Sequence, residues 1–321
     1  MNRDPIIIVA GEPNSVFLEI FFKSIKKNKY RSPLILIVSI KLLKKQMQKL
    51  GFFFEINVLD KDFNKFSRLN NKKINLIDVD YKFKNSFDKI SSKSNNYISE
   101  SFDIALKIIK KNKFSKLING PISKKYFLNG KTLGITEYLA KKTNKNNNVA
   151  MLIYNKKLSV SPITTHLALK DVNKHISRQK IYIHTKLITE FYKKNFKRTP
   201  NIAITGLNPH CESNFKECEE DKIIIPTVKN LKAKKFKIEG PFPADTIFMQ
   251  ENLEKFDTII GMYHDQVLTP IKTLFGFDAI NITLGLPFIR ISPDHGPNYP
   301  MLGKNLSDPK SLIQALKFLD K

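Results

Sequence analysis

Arginine is scarce in this chain, standing only at positions 3, 31, 68, 178, 198 and 290. The 55 basic residues less those six arginines leave 49 lysines, against 29 acidic residues and a formal charge of +26. Such a charge invites a nucleic-acid reading, but specific readers favour arginine for bidentate contacts to guanine and phosphate. The lysines are scattered among asparagine and isoleucine, which reads as a solvated surface whose positive field attracts an anionic metabolite, with no nucleic-acid partner. Cysteine is scarcer still. Cys211 and Cys218 are the only two, and their spacing suits neither a disulfide framework nor a zinc ribbon, so both read as reduced thiols. No apolar run approaches the ~20 residues that span a bilayer, and the start, MNRDPIIIVAGEP, is too short in its apolar part for a secretory signal. A cytoplasmic protein with no membrane partner is expected. Two nucleotide fingerprints are also missing. Without G-x-G-x-x-G or G-x-x-x-x-G-K-[ST], a Rossmann site is unsupported, and any nucleotide must bind by another geometry.

What is present suits a large α/β enzyme. At 321 residues, 41% of them hydrophobic, the chain is long for one core, since single cores stop growing at roughly 250–300 residues. Two lobes are expected, and a cleft between lobes is a common ligand site. Short β-branched runs recur at 6–10, 34–38, 116–119, 149–154, 159–164, 201–205, 258–262 and 279–283. Several are apolar on both faces, as strands covered by helices are. Between them lie helical periodicities, with Ile98, Phe102, Ala105, Leu106 and Ile109 on one face, and Ile176, Ile183, Leu187 and Phe191 on another. The alternation predicts a mostly parallel sheet. Residues 40–95 are rich in lysine and asparagine and carry no assignable element.

Three of the six histidines share one context. His166 ends SVSPITTH, His210 ends NIAITGLNPH, and His264 follows TIIGMY. Each lies just past the carboxyl end of a strand-like run, where open α/β sheets bind ligands. Three imidazoles on one rim suit a divalent metal with coordination positions left open for catalysis, and Asp265 is placed to orient one of them. His175 and His184 fall within a helical pattern and read as surface residues. Asp245, after the turn GPFPADT, and Lys272, Asn281 and Arg290 are read near the same rims, the last three as a holder for phosphate or carboxylate.

TTHLALKDV, GLNPH with a following EE, GPFPADTIF, MYHDQVLTPIK and NITLGLPFIRISPDHG occur in this order. Together they resemble the 4-hydroxythreonine-4-phosphate dehydrogenase (PdxA) family, over nearly the whole chain. The resemblance implies a homodimer of two-lobed α/β/α subunits, similar to isocitrate and isopropylmalate dehydrogenases, with a first lobe of residues 1–130 plus 285–321 and a second of 131–284. It implies a divalent metal (zinc, magnesium or cobalt) on His166, His210 and His264, in a site completed across the dimer. Substrate contacts fall on Thr136, Lys272, Asn281 and Arg290, and NAD on a loop containing His295 and Gly296. The implied reaction oxidises 4-phosphohydroxy-L-threonine to a 3-oxo acid that loses CO₂ to give 3-amino-2-oxopropyl phosphate, a step of pyridoxal phosphate biosynthesis. Asp245, Asp265 and Lys272 are the candidates to relay the proton.

Three departures from the family pattern bear on the substrate. The first loop reads GEPNSVFLE where the family has GDPAGIGPE or close to it. Ile135 replaces the histidine of G-H-T-E, and Pro297-Asn298 replaces Thr-Ala after DHG. The same chemistry on threonate or erythronate 4-phosphate is therefore a second reading, and hydrolysis by a three-histidine zinc site a third.

Overall fold

The computed structural model describes residues 3–320 apart from 63–65, 67, 68, 131, 133, 146, 147, 213–217, 277, 294 and 295. In chain order its main elements begin β1 (Ile6–Val9), α1 (Phe17–Lys27), β2 (Leu34–Val38), α2 (Ile40–Lys49), β3 (Ile56–Leu59), β4 (Ile74–Asp78), α3 (Asn95–Asn112), β5 (Lys116–Asn119) and α4 (Ile135–Lys142). There follow β6 (Ala150–Tyr154), β7 (Ser159–Thr164), α5 (Arg178–Phe196), β8 (Ile202–Thr205), α6 (Ile225–Ala233), β9 (Ile238–Phe242) and α7 (Gln250–Leu253). The last are β10 (Thr258–Tyr263), α8 (His264–Phe275), β11 (Ile280–Leu284), β12 (Ile289–Pro293) and α9 (Lys310–Leu319). The chain divides into two compact units, Met1–Ile135 with Pro287–Lys321, and Thr136–Leu286.

The first unit carries strands in the order β3-β4-β2-β1-β5-β12, every neighbouring pair parallel. β1 and β2 are buried throughout, as parallel strands covered on both faces must be. α3 packs on β1 and β2, α9 packs on β12, and α1 touches α2 and α9. Residues 40–95, in which the sequence reading assigns nothing, contain α2, β3 and β4. α2 turns inward only Leu42, Leu43 and Gln46, with lysines on its open side, so its apolar signal is thin.

The second unit carries the order β11-β6-β7-β10-β8-β9. β11 with β6 and β6 with β7 are antiparallel, while β7-β10-β8-β9 is parallel. α8 lies on β7 and β10, and its Val267, Leu268 and Ile271 enter a buried cluster with Val160, Ala203 and Ile259. α5 starts at Ser177, whose hydroxyl accepts the Lys180 amide, and packs on β6, β7 and β11.

One expectation fails here. His184 is not on the surface: it is 5% exposed on the inner face of α5, with Nδ1 2.9 Å from Ser161 Oγ on β7. His175 is exposed, in a 3₁₀ turn that precedes α5. Among the described residues no helix is long and apolar enough to cross a membrane.

Candidate active site

The second unit sets its histidines by strand register. β7, β10 and β8 are adjacent and parallel, with Thr164 opposite Tyr263 and Ile204 opposite Ile260. His264 directly follows Tyr263, His166 stands two residues beyond Thr164, and the Thr164 hydroxyl donates to Met262 O at 2.8 Å. Two side chains thus leave neighbouring strands at one edge. Their ring centroids are 5.8 Å apart, with planes inclined at 42°. Imidazoles that share one ion through nitrogen at about 2.1 Å have centroids roughly 5–6 Å apart, so this pair is spaced for it.

The pair also fits a metal in its chemistry. His264 Nδ1 lies 2.6 Å from Asp265 Oδ1, leaving Nε2 as the ligating nitrogen. A carboxylate on the remote ring nitrogen is the usual orienting partner of a metal-bound histidine. His166 Nδ1 is fully buried. His210 sits apart, on an exposed 3₁₀ turn, Pro209–Cys211, with φ +57°. Among the described residues no group of three or more His, Cys, Asp or Glu side chains is arranged to hold an ion. One chain therefore assembles His166 with His264 and does not bring His210 to them.

The His210 turn is anchored by a residue the sequence reading passed over. Glu220, fully buried, accepts the backbone amides of Leu207 and Asn208 at 2.7 and 2.9 Å and the Asn208 side chain at 2.8 Å. Burial pushes its carboxyl up, but the hydrogen bonds from Asn208, Leu207 and its own backbone outweigh that and hold it below the usual carboxylate range. The EE after GLNPH was the available signal.

The remaining candidates are spread over several elements. Asp265 is exposed and engaged with His264. Asp245 is exposed in the turn after β9, close enough to act on Cys211, whose thiol is pushed up by burial and by the Glu220, Asp245 and Glu212 charges, against a bond to the Gly206 backbone. Lys272 is exposed in the last turn of α8, about 12 Å from His264 along the helix at 1.5 Å per residue. Asn281 is the second residue of β11, which through two antiparallel pairings runs in the same direction as β7, so it lies toward the amino ends. Its Oδ1 is buried and has no hydrogen-bond partner among the described residues. Thr136 is buried, its hydroxyl 3.2 Å from that of Thr283, which shares Asn281's face of β11.

In the first unit, Arg290 is neither exposed nor beyond a strand end. It is the second residue of β12, opposite Leu117, and wholly buried, with Nε donating to Asn119 Oδ1 at 2.6 Å. Asn119 Nδ2 in turn donates to Gly120 O at 2.8 Å. The first loop is buried from Gly11 to Val16, with Glu12 accepting from Ser94 Oγ and the Asn14 amide. Of the proposed nucleotide loop, His295 lies outside the described residues. Gly296 is exposed, with open space where a Cβ would stand, just past the carboxyl end of β12, a position that fits a nucleotide. A cavity of about 470 Å³ lined by Phe21, Tyr30, Leu34, Phe54 and Ile74 opens at the first residues of β2 and β4, not at the histidines.

Comparison with known proteins identifies the family and the fold. The family described as "Pyridoxal phosphate biosynthetic protein PdxA" matches residues 29–319. A Sulfurihydrogenibium sp. (strain YO3AOP1) protein named 4-hydroxythreonine-4-phosphate dehydrogenase is 38% identical, over 97% of this chain and 96% of its own. An Oceanobacillus iheyensis protein provisionally named D-threonate 4-phosphate dehydrogenase is 31% identical, over 98% of this chain and 97% of its own. The crystal structure of 4-hydroxythreonine-4-phosphate dehydrogenase from Klebsiella pneumoniae superposes with a TM-score of 0.83 at 25% identity, covering 98% of each chain. Isocitrate dehydrogenase from Methylococcus capsulatus, at TM-score 0.50 and 9% identity over 97% of this chain and 83% of its own, shares the fold. The chain is thus an α/β protein of isocitrate dehydrogenase-like architecture that belongs to the PdxA family of pyridoxal phosphate biosynthetic proteins, and its named relatives are oxidoreductases.

Proposed function

We propose that this chain is a cytoplasmic, NAD-dependent dehydrogenase that oxidises the C3 hydroxyl of 4-phosphohydroxy-L-threonine with the help of a divalent metal. The 3-oxo acid formed would lose CO₂ to give 3-amino-2-oxopropyl phosphate. The observation that carries the reading is the His166–His264 pair, 5.8 Å apart with Asp265 on the second ring. His166, His264 and His210 would hold the ion, zinc, magnesium or cobalt. The chemistry such an ion and NAD supply when bound is Lewis-acid activation of the hydroxyl and acceptance of the hydride.

The side chains do the rest. Asp265 keeps His264 in the tautomer that presents Nε2. Asp245 and Lys272 are the groups left to take up the released proton, since Asp265 is committed to its histidine. Thr136, Lys272, Asn281 and the buried Arg290 guanidinium bind the phosphorylated substrate, and the loop at His295 and Gly296 receives the nucleotide. Lys272 and Asn281 stand away from the histidine rim of their own chain, and His210 stands apart from its partners. Both facts favour a homodimer whose site draws residues from two copies.

Purified enzyme with Zn²⁺ or Mg²⁺, NAD⁺ and 4-phosphohydroxy-L-threonine is expected to generate NADH absorbance. Absence of NADH with this compound and with related phosphorylated hydroxy acids would refute the proposal. One observation favours a second substrate. Ile135 opens α4 where the family pattern has a histidine, and a side chain without hydrogen-bonding atoms suits a sugar-acid phosphate such as threonate or erythronate 4-phosphate. The ratio of kcat/KM for the two compounds decides between them, and Ile135→Ala separates a contact with the substrate from a bystander by whether that ratio moves.

A further inference from the structure

Gln266 stands two residues past His264, in the first turn of α8, and is 9% exposed. Its amide reaches the ends of β8 and β10. Oε1 accepts the Met262 amide at 2.7 Å and the Thr205 hydroxyl at 2.9 Å, and Nε2 donates to Gly206 O at 2.8 Å. Met262 lies two residues before His264. Thr205 and Gly206 begin the loop that reaches His210, whose other anchor is Glu220. A single buried amide thus joins the backbone ahead of one candidate ligand to the backbone ahead of another. Only a group with both an acceptor and a donor, at the length of a glutamine, satisfies these three contacts together.

The space around this contact is closed. A Cβ on Gly261 would meet Val267 Cγ1 at 2.4 Å and Gln266 Oε1 at 3.1 Å, and one on Gly206 would meet Glu220 Oε1 and Cys211 Sγ at 2.9 Å. Both strand ends are therefore held at fixed distances from the amide, with no room to slide. Backbone groups buried there would lose their partners if the amide were removed, and the loops would shift to recover them.

We infer that Gln266 is a positioning residue, one that never touches the ion but fixes both the strand end that presents His264 and the start of the loop that presents His210, each a ligand to one of the two sites of the proposed dimer, and so sets how tightly the metal is bound. This rests on the metal-site reading above. The test is Co²⁺ binding to the full-length protein by calorimetry, with the cobalt absorption spectrum recorded alongside. Five proteins are compared: wild type, Gln266→Met, Gln266→Glu, His264→Ala and Val228→Ala. Gln266→Met keeps the length and removes every hydrogen bond. Gln266→Glu keeps the acceptor for Met262 and replaces the donor to Gly206 O with a repelling oxygen. Val228 is buried on α6, and its truncation serves as a control for plain loss of packing.

Wild type is expected to bind and His264→Ala to fail. Gln266→Met and Gln266→Glu are expected to bind about 10–100-fold more weakly, as loss of an outer-shell partner usually causes, with an altered spectrum. Val228→Ala should melt earlier yet bind as wild type does. Unchanged affinity in both Gln266 variants while His264→Ala fails overturns the positioning role and leaves the metal reading standing. Equal weakening in Val228→Ala overturns it too, by reducing the effect to general destabilisation. Failure of wild type to bind Co²⁺ through His264 overturns the metal reading, and this inference with it.

Discussion

The buried imidazole on α5 makes stability depend on pH in a way that can be calculated. Ser161 Oγ donates to Met151 O at 2.7 Å, so His184 Nδ1, 2.9 Å from the same oxygen, must be the donor. Burial, and secondarily the charge of Lys180, lower the His184 pKa from 6.5 to about 3. Above pH 6.5 the ring is neutral in both folded and unfolded chains and contributes no pH dependence. Below it the unfolded chain takes up a proton that the folded chain refuses, so stability falls as pH drops from 6.5 toward 3. Between pH 7.5 and 5.0 the loss from this one group is about 2 kcal/mol, at 1.36 kcal/mol per pKa unit. His184→Gln retains a donor for Ser161 and cannot take up the proton. Urea denaturation of both proteins at the two pH values isolates the effect, because every other titrating group cancels in the difference. Wild type should lose about 2 kcal/mol more than the variant on going to pH 5.0. Equal losses, within about 0.5 kcal/mol, would refute a neutral buried imidazole.

Other expectations follow from the same geometry. His210→Ala should abolish dehydrogenase activity and weaken metal binding while the melting temperature holds, because an exposed turn carries little packing. Asn119→Leu deprives the buried Arg290 guanidinium of the oxygen it donates to, and should cost about 1.5–3 kcal/mol in denaturant unfolding and raise KM for the phosphorylated substrate. Gly11→Ala forces a Cβ to 2.5 Å from Pro121 O at φ +78°. It should destabilise the first unit by more than the ~1–2 kcal/mol that the left-handed conformation alone costs.

Much of the second unit was legible because its signals are local. The run 159–164 is a strand at the bounds read from sequence, as are 34–38 and 116–119 in the first unit, and of these 34–38 is apolar on both faces. The positions of His166 and His264 just past strand ends were equally legible, but their approach depends on β7 lying beside β10, which no local pattern states. Burial set by distant partners was not legible. His184 looks like a polar residue on a polar helix until Ser161 of β7 is placed against it. Arg290 looked like a rim cation, because IRISP reads poorly as a strand until its pairing with β5 is known. β3 was hidden for a related reason: its residues are mostly half-exposed, so it lacks the continuous apolar run that marks its neighbours.

The first unit is closed by residues that are made only after the whole of the second unit. β12 pairs with β5, α9 packs on α1, the Asp320 carboxylate accepts the Arg31 and Ser32 amides, and Lys23 Nζ reaches the carbonyls of Asn305 and Ser307. The second unit is one uninterrupted segment, so during synthesis it can complete its sheet while the earlier-made first unit still waits for its final strand. A nascent chain halted after residue 286 would keep β7, β10 and β8 together but leave β5 with an open edge, ready to pair with another chain. Damage within residues 287–321 is therefore damage to a unit whose other strands are made before the second unit begins.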